Sequence, residues 1–273
     1  MLDMGNVIII ILVSVTIVIC LACSYVLFTY VLCSWANKEK IYSKKDFPLY
    51  AVIKEMGLQC LIFFAFPFEF IGSWRPYDAQ TNKTAIILPG YTLTPIAYRK
   101  LFLMLRKHGV GYKIIRYKPF TGDLNLQVST LNKVVSELVK KNPHHNITLI
   151  GHSMGGLIAK KAMTALEMEK NINLITLSTP HKGTKFGRFG FGVSSNQMIP
   201  NSSFINSITE FEKSRRLNIF SNGDNLICPK ESLLTCSKNI LVRNVTLHNS
   251  ILFDDEALSL IKNNIIYGRT EVN

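Results

Sequence analysis

The hydrophobic pattern of this chain changes character along its length. Residues 7–33, "VIIIILVSVTIVICLACSYVLFTYVLC", carry no charged side chain. A helix that is apolar on every face belongs in a bilayer, which about 20 such residues can span. A cleaved leader would have a basic start and an apolar stretch of roughly 7–15 residues, whereas this chain opens "MLDMGN" and stays apolar far longer. Residues 1–36 are therefore expected to be an N-terminal membrane anchor, a transmembrane helix. A second apolar patch, "LQCLIFFAFPFEFIG" at 58–72, holds Pro67 and Glu69. As a helix it would reach about 22 Å, short of the roughly 30 Å hydrocarbon core. It reads first as an interfacial or re-entrant segment within a linker at 37–80, with a strained second span or a hydrophobic arm folded on the next domain as alternatives.

From residue 84 short apolar runs alternate with amphipathic ones, the pattern of βαβ units. Strands are expected at 84–90, 112–117, 146–151, 172–179, 216–222 and 239–247. Helices are expected at 96–109, 124–142 and 155–168. The first ends at Gly109, a suitable C-cap, and the second carries Leu131, Val134, Val135, Leu138 and Val139 on one face before Pro143. Residues 81–273 thus read as one α/β domain with a mostly parallel sheet. The Gly-, Ser-, Asn- and Phe-rich stretch at 180–210 is expected to be a lid or substrate-binding loop.

Charge adds a partner. The formal net charge is +13, and residues 80–273 hold 25 Lys and Arg against 12 Asp and Glu. An anionic phospholipid surface suits that excess, with a plain solvated basic surface as the alternative. Nucleic acid does not, because zinc-finger spacing, RNP-like aromatic motifs and basic repeats are all missing from the sequence. Lys38, Lys40, Lys44, Lys45 and Lys54 lie between the two apolar segments, and basic residues near spans stay cytoplasmic. The side of the domain then depends on whether 58–72 crosses. Cys228 and Cys236 of the domain are either a short-loop disulfide or free thiols.

Candidate chemistry begins at "LIGHSMGG", residues 149–156. The pattern G-x-S-x-G is weak alone, but here it follows an expected strand and opens an expected helix, the setting that exposes a nucleophilic serine at a tight elbow. Ser153 is the candidate nucleophile. A serine needs a base, and where the order is Ser, acid, His, the choice falls on His248 in "TLHNSIL" rather than His181, which precedes any plausible acid. Asp224 in "SNGDN" lies in a turn beyond a strand and is the candidate acid, ahead of Glu210, Glu212 and Glu231. Backbone N–H groups of Met154 and of Tyr91, in the loop "LPGYT", are the candidate oxyanion donors. His152 reads as an elbow packing residue. No metal-ligand spacing, P-loop or dinucleotide fingerprint occurs in the sequence, so no cofactor and no metal are implied.

Taken together, "LPGYTLTP", "LIGHSMGGLIAKKA", "LITLSTPHKGT", "SNGDNLICP" and "LHNSILFDDEAL" resemble the bacterial triacylglycerol lipase group of the α/β-hydrolase superfamily and related inositol-deacylase-like and membrane-anchored hydrolases. The resemblance covers about 84–262. It implies an α/β-hydrolase fold, Ser153 as nucleophile, Asp224 as acid, His248 as base, and a lipid or other ester as substrate. The group usually has His-Gly at the first turn where this chain has Pro89-Gly90, and residues 180–215 are short for the lid of an extracellular lipase. Acyl transfer on the same fold and a non-catalytic lipid-binding adaptor are the alternatives to ester hydrolysis.

Overall fold

The computed structural model describes residues 3–37, 49–65, 76–79, 81–117, 119, 121–166, 171–208, 216–235 and 238–269. Among the described residues six strands, β1 (Lys83–Leu88), β2 (Gly111–Ile114), β3 (Asn146–His152), β4 (Ile172–Leu177), β5 (Arg216–Phe220) and β6 (Lys238–Leu241), form one parallel sheet in the order β2-β1-β3-β4-β5-β6. The aliphatic runs of β1, β3 and β4 sit at its centre because both faces there are covered.

Alternation along a strand assigns residues to the two faces. Ala85 and Ile87 of β1 join a cluster with Leu101 and Leu105 of α3 (Arg99–Lys107) and Leu258 and Ile261 of α8 (Asp255–Tyr267). Ile86 and Leu88 join the opposite cluster with Leu131 and Val135 of α4 (Leu124–Lys141) and Leu157 and Ile158 of α5 (Met154–Ala162). Helices flank a parallel sheet on both sides, as in the α/β-hydrolase fold.

The strands expected at 84–90, 112–117, 172–179 and 216–222 end two or three residues early, at Leu88, Ile114, Leu177 and Phe220, and three further boundaries differ for identifiable physical reasons. The helix expected at 155–168 ends at Ala162, where Thr164, Ala165 and Leu166 turn to bonds with carbonyls three residues back, the tighter winding common at helix ends. Pro95 opens a 3-10 turn, Pro95–Tyr98, before α3 begins. The last strand stops at Leu241 instead of 247, and the chain then bends so that Thr246 donates to Ser221 Oγ (3.0 Å). That bend delivers His248 beside the turn after β5. Within 180–210 the chain forms α6 (Gly192–Gln197) and α7 (Ser203–Asn206). Cys228 is a free thiol, and Cys236 lies outside the described residues.

Among the described residues two helices precede the sheet. α1 (Met4–Ala36) is 33 residues long, about 50 Å, and is the one helix among the described residues long and apolar enough to cross a membrane. Its first turns are exposed. From Ala22 onward a stripe of Ala22, Val26, Thr29, Tyr30 and Cys33 is buried against the rest of the molecule. α2 (Leu49–Ala65) takes in the start of the 58–72 patch, whose residues 66–72 lie outside the described residues. Leu58 and Ile62 enter the same core cluster as α3 and α8, whereas Leu61, Phe63 and Phe64 face outward. In the full chain Leu58→Ala should cost about 2–4 kcal/mol and Leu61→Ala within about 0.5 kcal/mol; thermal unfolding in detergent measures the contrast.

Candidate active site

Ser153 sits between β3 and α5 with φ 52° and ψ −119°, a region costly for a non-glycine residue, by about 1–3 kcal/mol. Its N–H continues the ladder to Leu177 O (2.9 Å), and its carbonyl accepts from Gly156 N (3.0 Å). The two flanking glycines make the sharp crossing possible. A Cβ at Gly155 would collide with the Leu88 carbonyl, and one at Gly151 with the backbone of Gly156.

The structure brings Asp224 and His248 together. Asp224 Oδ1 accepts the N–H groups of Leu226 (2.9 Å) and Ile227 (3.0 Å), which holds the carboxylate in its turn. Oδ2 accepts His248 Nδ1–H at 2.8 Å. That bond fixes the tautomer and leaves Nε2 as the basic nitrogen. Burial pushes the imidazole towards its neutral form, but the Asp224 charge, the hydrogen bond to it and the Glu55 charge outweigh burial and raise its pKa. For Asp224 burial acts upward, and the His248 charge and hydrogen bond, the Leu226 N–H and Lys230 prevail to lower it.

His248 reaches the elbow through His152. The two rings lie 4.9 Å apart, and His152 Nε2–H donates to His248 O (3.0 Å). Burial and the neighbouring His248 charge drop the His152 pKa to about 3, so it stays neutral and packs, as expected of it. His181 lies elsewhere, with Nε2 3.1 Å from Asn218 Oδ1.

Met154 opens α5, and Tyr91 follows the β1 loop. A Cβ at Gly90 would come within 2.8 Å of His152 Nδ1 and 3.3 Å of Ser153 Cβ, so only glycine lets this loop approach the elbow. The Gly90 N–H is committed to Tyr98 Oη (3.0 Å). Tyr91 Oη accepts Phe191 N–H (2.8 Å) and lies 2.8 Å from Phe191 O, which ties the 180–210 segment to the loop beside Ser153. Among the described residues no cluster of three or more His, Cys, Asp or Glu could hold a metal ion.

Several residues of the site escaped the sequence reading. Asn225 Oδ1 accepts His248 N–H (3.1 Å) while its Nδ2 donates to Thr29 Oγ1 on α1 (2.6 Å). Glu55 of α2, 2 % exposed, accepts from Asn249 N (2.9 Å) and Ser250 N (2.7 Å). A lone carboxylate beside an apolar run is a usable signal, since such a charge must find donors somewhere.

A family model described as a PGAP1-like alpha/beta domain matches residues 120–222, which include the elbow and stop just before Asp224. A GPI inositol-deacylase of Candida albicans is 38% identical over 76 residues, covering 23% of this chain and 20% of that protein. Lipase B of Aspergillus fumigatus superposes with a TM-score of 0.58 at 16% identity, over 69% of this chain and 53% of its own. The mature lipase BlEst2 of Bacillus licheniformis gives 0.52 at 14% identity, over 66% and 90%. The structural likenesses show the α/β-hydrolase fold. The chain spans about a fifth of the length of its curated relative and about half of the Aspergillus lipase.

The paired geometry makes a prediction independent of turnover. His248 should titrate above the ordinary histidine value of about 6.5, and Asp224→Asn should move it down, as read by imidazole NMR on the full chain in micelles.

Proposed function

We propose that this chain is a membrane-anchored serine hydrolase that cleaves carboxylic esters of lipids or acylated amphiphiles through an acyl-enzyme. The observation that carries this reading is the Asp224–His248 pair, whose imidazole lies 4.9 Å from the ring of His152, the residue before a serine held at positive φ. In the proposed reaction Ser153 Oγ attacks the ester carbonyl while His248 Nε2 takes its proton. Asp224 stabilises the imidazolium, and the N–H groups of Met154 and Tyr91 receive the oxyanion. Collapse expels the alcohol, protonated by His248, and water then releases the acid by the same steps in reverse.

The surroundings favour a lipid substrate. Phe189 and Phe191 are 63% and 78% exposed and lie in the segment tied to Tyr91. Phe189 meets Phe28 of α1 edge-on, with ring centroids 6.3 Å apart, so an apolar rim runs from the membrane helix to the site. Lys182, Lys185 and Arg188 are exposed in the same segment, and no acidic residue occurs between 181 and 208. Such a rim suits an acyl chain beside an anionic headgroup. The name of the Candida relative, an inositol-deacylase, points the same way, towards acyl esters of membrane lipids.

The packing of α2 on the domain favours a cytoplasmic site, because Lys38, Lys40, Lys44, Lys45 and Lys54 then share the domain's side of α1. Ser153→Ala should lower ester hydrolysis by at least about 10³-fold with unchanged thermal unfolding. A serine-reactive fluorophosphonate should label the wild type and not the variant; wild-type turnover by the variant would sink the assignment. The acid limb of kcat/KM should lie above about pH 6.5, since activity needs neutral His248 and its raised pKa moves the loss of activity to higher pH. A membrane-impermeant version of the probe should label only permeabilised cells.

A further inference from the structure

The loop that carries His248 is held by groups that come from outside the sheet domain. Glu55 gives one carboxylate oxygen to Asn249 N–H (2.9 Å) and the other to Ser250 N–H (2.7 Å), the two residues that follow His248. One helical turn on, Gln59 Oε1 accepts from Asn249 Nδ2 (3.4 Å). On the other side of the imidazole, His248 N–H is held by Asn225, which is itself fastened to Thr29 of α1. The Cys33 thiol of α1 lies 3.6 Å from each of the Asp224 and Ile227 carbonyls.

These bonds are made in a dry place. Glu55, Asn249, Ser250, Asn225 and His248 are all buried, so the two N–H groups taken by Glu55 would otherwise stay unpaired, at a cost water could not relieve. A carboxylate that bridges two consecutive N–H groups fixes the backbone on which the imidazole is hung. Its charge also faces the imidazolium that forms when His248 takes the serine proton.

We propose that Glu55 is a positioning residue for His248, so that the helices joining the domain to the membrane are part of the catalytic apparatus as well as its tether. The proposal rests on the serine-hydrolase reading for its kinetic consequence. The charged and titratable groups around His248 are Asp224 from the turn after β5, Glu55 from α2 and His152 from the elbow; Lys230 acts on Asp224, and Tyr25 of α1 faces Glu55. Burial pushes the Glu55 pKa up, and the N–H groups of Asn249 and Ser250 and the His248 charge oppose that rise.

The test uses the full chain in micelles. Glu55→Gln keeps one acceptor, loses the charge and sets an amide N–H₂ against a backbone donor. It should lower kcat about 10- to 100-fold with little change in KM, and should move both the acid limb and the His248 NMR titration to lower pH. Glu55→Asp keeps the charge while drawing it back by one methylene, and should restore the titration more than the rate. A purely structural role would reduce the fraction of molecules labelled by the fluorophosphonate and leave the titration of the labelled-competent fraction where it was. A folded Glu55→Gln with wild-type kcat and wild-type titration overturns the proposal; if that variant does not fold, the same result for Glu55→Asp does so. Failure of both to fold assigns Glu55 to folding alone and also overturns it. If the wild type is not labelled at all, the serine-hydrolase reading fails by itself, and the NMR titration still decides whether Glu55 acts on His248.

Discussion

Two carboxylates without access to water set the terms for this site. Asp224 and Glu55 are 1 % and 2 % exposed, and a buried charge survives only when donors surround it. Asp224 collects two backbone N–H groups and an imidazole N–H; Glu55 collects two backbone N–H groups. Every donor belongs to the turn after β5 or to the loop around His248. Satisfying these charges is therefore the same act as bringing the turn after β5 to the His248 loop, 24 positions on, and docking α2 against that loop. The imidazole between them inherits its orientation from both.

The elbow imposes the complementary constraint, one of space. β3 must hand over to α5 within a single residue, close under the loop that follows β1, and glycines at 90, 151 and 155 allow backbones to meet there. Tyr98 uses its hydroxyl to hold Gly90 N–H in the Pro89-Gly90 turn that follows β1. The sheet thus fixes the serine, and the segments after β5 and β6 bring the paired Asp224 and His248 against His152 beside it.

Much of the fold could be read from the chain because the signals were local. The strands at the sheet centre are uninterrupted aliphatic runs, and α4 shows its buried stripe plainly. The elbow was legible from its strand-turn-helix setting, and Asp224 and His248 from their order along the chain. What stayed hidden depends on distance. The second apolar patch begins at Leu58, three residues past Glu55, and nothing near Glu55 in sequence hints at a partner at 249. In α1 the docking stripe is Ala22, Val26, Thr29, Tyr30 and Cys33, small or weakly polar residues at helical spacing. It is visible in retrospect, but in a helix apolar all round no contrast of polarity marks which side will meet protein. The short last strand and early end of α5 were missed because apolar residues continued past the point where hydrogen bonding changed.

The unbroken course of α1 has a consequence for how the molecule would meet its substrate. A single helix that runs from its exposed apolar turns to a stripe locked against the domain leaves no swivel between the two. On the proposed reading, the height of Ser153 above the bilayer and the direction its opening faces are set once, at folding. Encounter would then become a two-dimensional search, in which lipids arrive by lateral diffusion within one leaflet. The governing quantity would be the mole fraction of substrate in that leaflet, and dilution of the surrounding solution would leave the rate unchanged.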